Sequence, residues 1–113
     1  MSRDFTGKTV VITGACRGIG AGIAERFASL GANLAIASNA DRVLTTAETL
    51  RQRYRAEVLS VILDVTDETQ VVDFYRQVWE RFGAIDVSIQ NAGVITIDRF
   101  DQMPKSDFEK VLA

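Results

Sequence analysis

"TVVITGACRGIG", residues 9–20, sets a β-branched run against a loop in which Gly14, Gly18 and Gly20 stand four and then two positions apart. The run TVVIT has the composition of a strand, apolar enough to be covered on both faces. Glycine is used where a chain turns sharply or lies close against another group. Beyond the loop, Ile19, Ile23, Phe27 and Leu30 recur at steps of four, four and three, and Gly31 supplies a C-terminal stop. The stretch therefore opens a strand, a glycine-rich turn and a helix.

The same alternation continues down the chain. "NLAIAS" (33–38), "VLSVIL" (58–63) and "IDVSIQ" (85–90) read as three more strands. Between them, Leu44, Ala47, Leu50 and Tyr54 form one stripe of a helix over 41–54. Val71, Tyr75, Val78 and Phe82 form one stripe of a helix over 67–82, followed by Gly83. Asp67 and Glu68 suit the positive end of that helix's dipole. A last helix is predicted from Ser106, because Ser106 and Glu109 have capping-box spacing and Phe108, Val111 and Leu112 follow.

Strands that alternate with helices imply an α/β fold with a parallel sheet, since each helix returns the chain to begin the next strand in the same direction. The glycine loop after the first strand favours a doubly wound sheet in the order 3-2-1-4. The first two helices then cover one face and the third the other. A crevice opens where the winding reverses, above Gly14 and Asn91. Such a sheet edge, left uncovered, invites pairing.

Composition removes several other classes. The 113 residues carry 13 basic and 15 acidic side chains, well mixed, for a net charge of −2, which offers no surface for nucleic acid or an anionic membrane. One cysteine and no histidine leave neither a disulfide framework nor a zinc cluster, and no metal ligand set is expected. No stretch has the length of a signal core or a membrane span, so a cytoplasmic location is expected.

In the glycine loop, Gly14 permits the tight turn, Gly18 lets the backbone approach a bulky anion, and Gly20 lets the helix sit close to the sheet. The helix N-terminus then offers bare N–H groups to a pyrophosphate. The alternative is that the glycines merely shorten a turn. The Gly-Lys-Ser/Thr ending of a nucleoside-triphosphate loop is absent.

"TGACRGIG" (13–20), "LDVTD" (63–67) and "QNAGV" (90–94) together resemble the marks of the short-chain dehydrogenase/reductase family, and in particular its 3-oxoacyl carrier-protein reductase-like members. Gln90 stands where that family has a first asparagine. The resemblance implies a Rossmann-type, three-layer α/β/α architecture over 1–113 and a nicotinamide dinucleotide cofactor. It assigns Gly14, Cys16, Arg17, Gly18, Ile19 and Gly20 to the phosphate loop, and Asp64 and Val65 to the adenine. Asn91, Ala92 and Gly93 fall to the nicotinamide-side ribose. Cys16 is read as a small spacer, not a nucleophile.

Cofactor choice rests on the end of the second strand. A carboxylate there binds a ribose 2′-hydroxyl and repels a 2′-phosphate. This chain has Ser38 and Asn39 instead, with Arg17 in reach of the same spot, so NADP is expected, with NAD possible. The family's catalytic tyrosine, lysine, serine and asparagine have no counterpart at matching positions, so no catalytic residue is assigned. Tyr54 and Tyr75 fall on core stripes. The chain is therefore expected to be the cofactor-binding half of a longer, homo-oligomeric oxidoreductase that acts on a small alcohol or ketone, and to be inactive alone. A stand-alone nucleotide-binding or interaction module without turnover is the alternative.

Overall fold

β1 (Thr9–Thr13) is buried along its whole length, with partners on both sides and a helical layer over each face. The computed structural model describes residues 5–14, 18–91 and 95–98. After β1 come α1 (Gly18–Ser29), β2 (Asn33–Ser38), α2 (Arg42–Tyr54), β3 (Val58–Ile62), α3 (Glu68–Phe82), β4 (Val87–Asn91) and β5 (Ile95–Asp98). The sheet order is β3-β2-β1-β4-β5. The first four strands are parallel, in the expected order 3-2-1-4. The third ends one residue earlier than the sequence suggests, and the fourth begins two residues later. The predicted helix from Ser106 lies outside the described residues.

β5 is not foreseen by the sequence pattern. It runs antiparallel to β4, pairing Ile97 with Ile89 and Ile95 with Asn91, so the outer side of β4 is covered rather than exposed. β3 remains the strand at the other end.

Strand alternation divides the core into two layers. Val10 and Ile12 of β1, Leu34 and Ile36 of β2, and Val87 and Ile89 of β4 pack with α1 and α2. Val11, Ala35 and Ala37 face the opposite way, toward Phe74, Tyr75 and Val78 of α3. The small β2 side chains leave room there for two rings, whose centroids lie 5.5 Å apart at 63°. Phe74 is thus a core residue that the single-stripe reading of α3 omits. In α2 the stripe is displaced: Val43 is fully buried while Leu44 is 48% exposed, with Ala47 and Leu50 buried as expected. Tyr54 is half-buried, and its hydroxyl donates to Glu25 Oε1 at 2.8 Å while Arg53 Nη1 bonds the same oxygen at 2.6 Å, tying α2 to α1.

The helix ends follow local chemistry. Gly31, at φ +89°, closes α1: its N–H reaches Ala28 O at 3.1 Å, and Ala32 N–H reaches Phe27 O at 3.1 Å, the two bonds of a Schellman ending. Asp67 caps α3 by accepting from Gln70 N–H at 3.3 Å, and the Gln70 side-chain amide returns to Asp67 Oδ2 at 3.0 Å. At the other end Gly83, φ +73°, donates its N–H to Trp79 O at 2.9 Å.

Candidate functional site

The register sets four strand ends side by side. Thr13 of β1 pairs with Ala37 of β2 and with Gln90 of β4, and Ser38 pairs with Ile62 of β3. The residues expected to hold a dinucleotide leave the sheet from this common rim, where the winding reverses between β1 and β4.

Gly14 is the first residue beyond β1. Its φ of +70° turns the chain sharply, and its N–H donates to Ala37 O at 2.7 Å, fixing the loop's departure against β2. α1 then begins at Gly18, and Gly20 is buried in its first turn. The first N–H groups of an α-helix have no partner within the helix. Those of α1 therefore stand at the rim together with the positive end of its dipole. Ile19 belongs to α1 and Asn91 ends β4. Cys16, Arg17, Ala92 and Gly93 lie outside the described residues.

Ser38 ends β2 and is 5% exposed. Its Oγ accepts from Ala40 N–H at 3.3 Å, and its carbonyl accepts from Leu63 N–H at 2.9 Å. The hydroxyl thus shapes the turn that presents exposed Asn39.

Asp64 is exposed two residues past β3 and is strongly oriented. Its Oδ1 accepts from Thr66 Oγ1 at 2.6 Å and from Thr66 N–H at 2.9 Å, an Asx turn, and its own N–H donates to Gln70 Oε1 at 2.9 Å. Thr66's hydroxyl, and then its backbone N–H, hold the Asp64 carboxyl below the ordinary carboxylate range. Oδ2 accepts no hydrogen bond among the described residues, so one carboxylate oxygen is fixed and the other stays open to an external donor. Val65 beside it is 45% exposed.

Thr66 and Gln70 are the site-shaping residues that the sequence reading missed. Their signal was present: Asp-x-Thr is an Asx-turn pattern, and Asp67 with Gln70 has capping-box spacing. Asp86 was missed too. At the far end of β1 its Oδ2 accepts from Thr9 N–H at 2.7 Å, and its N–H donates to Thr9 O at 2.9 Å. A concavity of about 360 Å³ along α3, lined by Glu68, Thr69, Val72, Asp73 and Arg76, contains none of the expected cofactor residues.

A family profile described as short chain dehydrogenase matches residues 8–113. The chain belongs to the short chain dehydrogenase family. Among its curated relatives, L-rhamnose 1-dehydrogenase (NADP(+)) of Thermoplasma acidophilum is 37% identical over 113 residues, covering 96% of this chain and 43% of the relative. L-sorbose reductase from Gluconobacter frateurii, solved with NADPH and L-sorbose, superposes with a TM-score of 0.78 at 31% identity, covering 96% of this chain and 42% of that one. A short chain dehydrogenase/reductase from Burkholderia phymatum, solved with NAD, gives a TM-score of 0.72 at 38% identity, covering 75% and 30%. The chain thus spans less than half the length of these relatives.

Proposed function

We propose that this short chain dehydrogenase binds NADP(H) across the rim formed by β1, β2, β3 and β4, and accepts NAD(H) more weakly. The observation that carries the reading is the left-handed turn at Gly14. It delivers the chain to the start of α1 at the reversal point of the sheet, where bare helix N–H groups suit a pyrophosphate. Gly14, Gly18 and Gly20 form the cradle, with Cys16, Arg17 and Ile19 in the same loop. Asp64, through its open Oδ2, and Val65 receive the adenine. Ser38 and Asn39 face the adenosine ribose without a carboxylate, which favours a 2′-phosphate, and Asn91, Ala92 and Gly93 lie toward the nicotinamide. The relatives with NADP(+) in the name or NADPH bound support this choice, and the NAD-bound relative supports NAD as the second cofactor.

When bound, the nicotinamide supplies or takes up a hydride. The reaction proposed for the whole protein is hydride transfer between the cofactor and a small alcohol or ketone. The described residues contribute binding and orientation, and the 113-residue chain by itself is expected to show no turnover. A cytoplasmic location and a homo-oligomeric whole protein are part of the same reading; no described helix is long and apolar enough to cross a membrane.

Calorimetric titration of the purified protein with NADPH and with NADH tests the proposal, with Ser38→Asp as the comparison. The native protein should bind both, NADPH more tightly. Ser38→Asp should weaken NADPH binding by ~2–3 kcal/mol through charge repulsion and leave NADH nearly unchanged. No heat with either cofactor from folded protein rejects the site. Equal losses for the two cofactors reject the placement of the ribose.

A further inference from the structure

β3 ends the sheet order, with β2 on its inner side. Main-chain groups of a parallel strand point alternately to one neighbour and the other. Glu57 O accepts from Leu34 N–H at 2.8 Å, and Leu63 N–H donates to Ser38 O at 2.9 Å, so the odd-numbered residues of this segment face inward. Val58, Ser60 and Ile62 therefore turn their main chain outward, and Ile62 is 48% exposed. An apolar strand with outward-facing N–H and C=O groups is a template for another strand.

The first of these outward groups is already taken. Arg51 Nη2, from α2, donates to Val58 O at 2.7 Å, and Arg81 Nη1, from α3, donates to the same oxygen at 3.2 Å. The two helices lie on opposite faces of the sheet, so the guanidinium groups reach the edge from above and below. A carbonyl oxygen has two lone pairs, and both are used. Carboxylates hold the arginines in place: Glu48 lies 3.4 Å from Arg51, and Glu57 lies 3.3 Å from Arg81.

We propose that Arg51 and Arg81 form a two-sided clasp that closes the β3 edge to strand addition by a second copy of this chain. A ladder along this edge needs Val58, Ser60 and Ile62 in succession. With Val58 O occupied, two outward residues remain, too few for a stable strand pair. An incoming strand must also displace two cationic donors before its own N–H can reach Val58 O. One arginine would satisfy Val58 O. The second, from the other layer, bars approach over the remaining face.

The test compares the full-length protein with its Arg51→Ala/Arg81→Ala variant by light scattering after size exclusion across a concentration series, with hydrogen–deuterium exchange on the species recovered. The double variant should associate into larger species at concentrations where the native protein keeps its mass. Amides of the outward residues Val58, Ser60 and Ile62 should then exchange roughly tenfold more slowly in those species than in the native protein, as newly paired strands do. The single variants Arg51→Ala and Arg81→Ala each keep one donor and should fall between, which preserves the comparison if the double variant fails to fold. Unchanged mass in all variants overturns the proposal. So does association without slowed exchange at Val58, Ser60 and Ile62, which would mean that the arginines support helix docking only.

Discussion

Asp64, proposed to meet the adenine, is oriented by its neighbours. Both Thr66 donors converge on Oδ1, so the rotamer is set before anything binds, and the free oxygen keeps its acceptor capacity. Those bonds favour the charged form, and the folded carboxyl titrates below its ordinary value. Because the folded value is the depressed one, the associated stability is fully present above the unfolded carboxylate value of about 3.9 and is lost as pH falls through the lower folded value. Replacing Thr66→Val removes the hydroxyl, which is the larger cause, and keeps the N–H bond. The Asp64 carboxyl, followed by carbon-detected NMR titration, should then move up toward the ordinary range. Cofactor affinity at neutral pH should weaken only slightly, because the Thr66 N–H still holds Oδ1. A carboxyl that titrates unchanged in Thr66→Val would show that the hydroxyl does not orient it. The residue types at this site were legible in the sequence: Asp64 and Gly14 stand at the strand-end positions their motifs implied. Which oxygen is engaged was not, because that depends on a turn formed two residues away.

At the scale of helices and strands, periodicity located every element from β1 to β4, and its misses have a common cause. In α2, the sets Val43-Ala47-Leu50-Tyr54 and Leu44-Ala47-Leu50-Tyr54 both satisfy helical spacing, and only the docking angle against the sheet decides between them. The angle buries Val43 and leaves Leu44 half in solvent. In α3 the apolar face is wider than one stripe because Ala35 and Ala37 opposite it are small, so Phe74 enters beside Tyr75. Helix ends were more legible, since a glycine past a periodic run has a local reason to be there. The two such glycines now separate into unequal roles. Both Gly31 and Gly83 have positive φ, which costs an L-residue about 1–2 kcal/mol. Space is open around Gly83, but a Cβ on Gly31 meets Thr6 Oγ1 at 2.7 Å and Thr6 Cα at 3.3 Å. Rotating the Thr6 hydroxyl relieves the first contact and not the second. Gly83→Ala should therefore lose about 1–2 kcal/mol in urea unfolding, and Gly31→Ala that amount plus ~1–3 kcal/mol of overpacking. Equal losses would show that the segment at Thr6 yields freely.

Over the whole molecule, strand order followed from the alternation of elements and the glycine loop, whereas β5 did not, because four residues after β4 carry too short a pattern to mark a strand. Nor does a sequence pattern show what secures the central pair of strands. β1 and β4 begin their pairing at Val10 and Val87, and one residue earlier Asp86 joins Thr9 through both main chain and side chain: its N–H donates to Thr9 O while its carboxylate accepts from Thr9 N–H. Asp86 is 6% exposed, with Lys8 Nζ 4.0 Å from Oδ1. Two residues further along the chain, Ser88 of β4 shares a buried 2.6 Å hydrogen bond with Tyr75, which fastens α3 to β4. These bonds sit at the base of the two strands whose tips form the proposed cofactor rim, so they govern assembly of the sheet rather than contact with the ligand. Asp86→Ala leaves the buried Thr9 N–H without an acceptor and should cost about 1–3 kcal/mol. Asp86→Asn keeps an acceptor oxygen and should cost less. In both variants the rise in melting temperature on adding saturating NADPH should match that of the native protein, because the rim lies at the opposite end of β1. A folded Asp86→Asn protein that gains no thermal protection from NADPH would instead mean that the register set at the base of β1 and β4 is transmitted to the turn at Gly14.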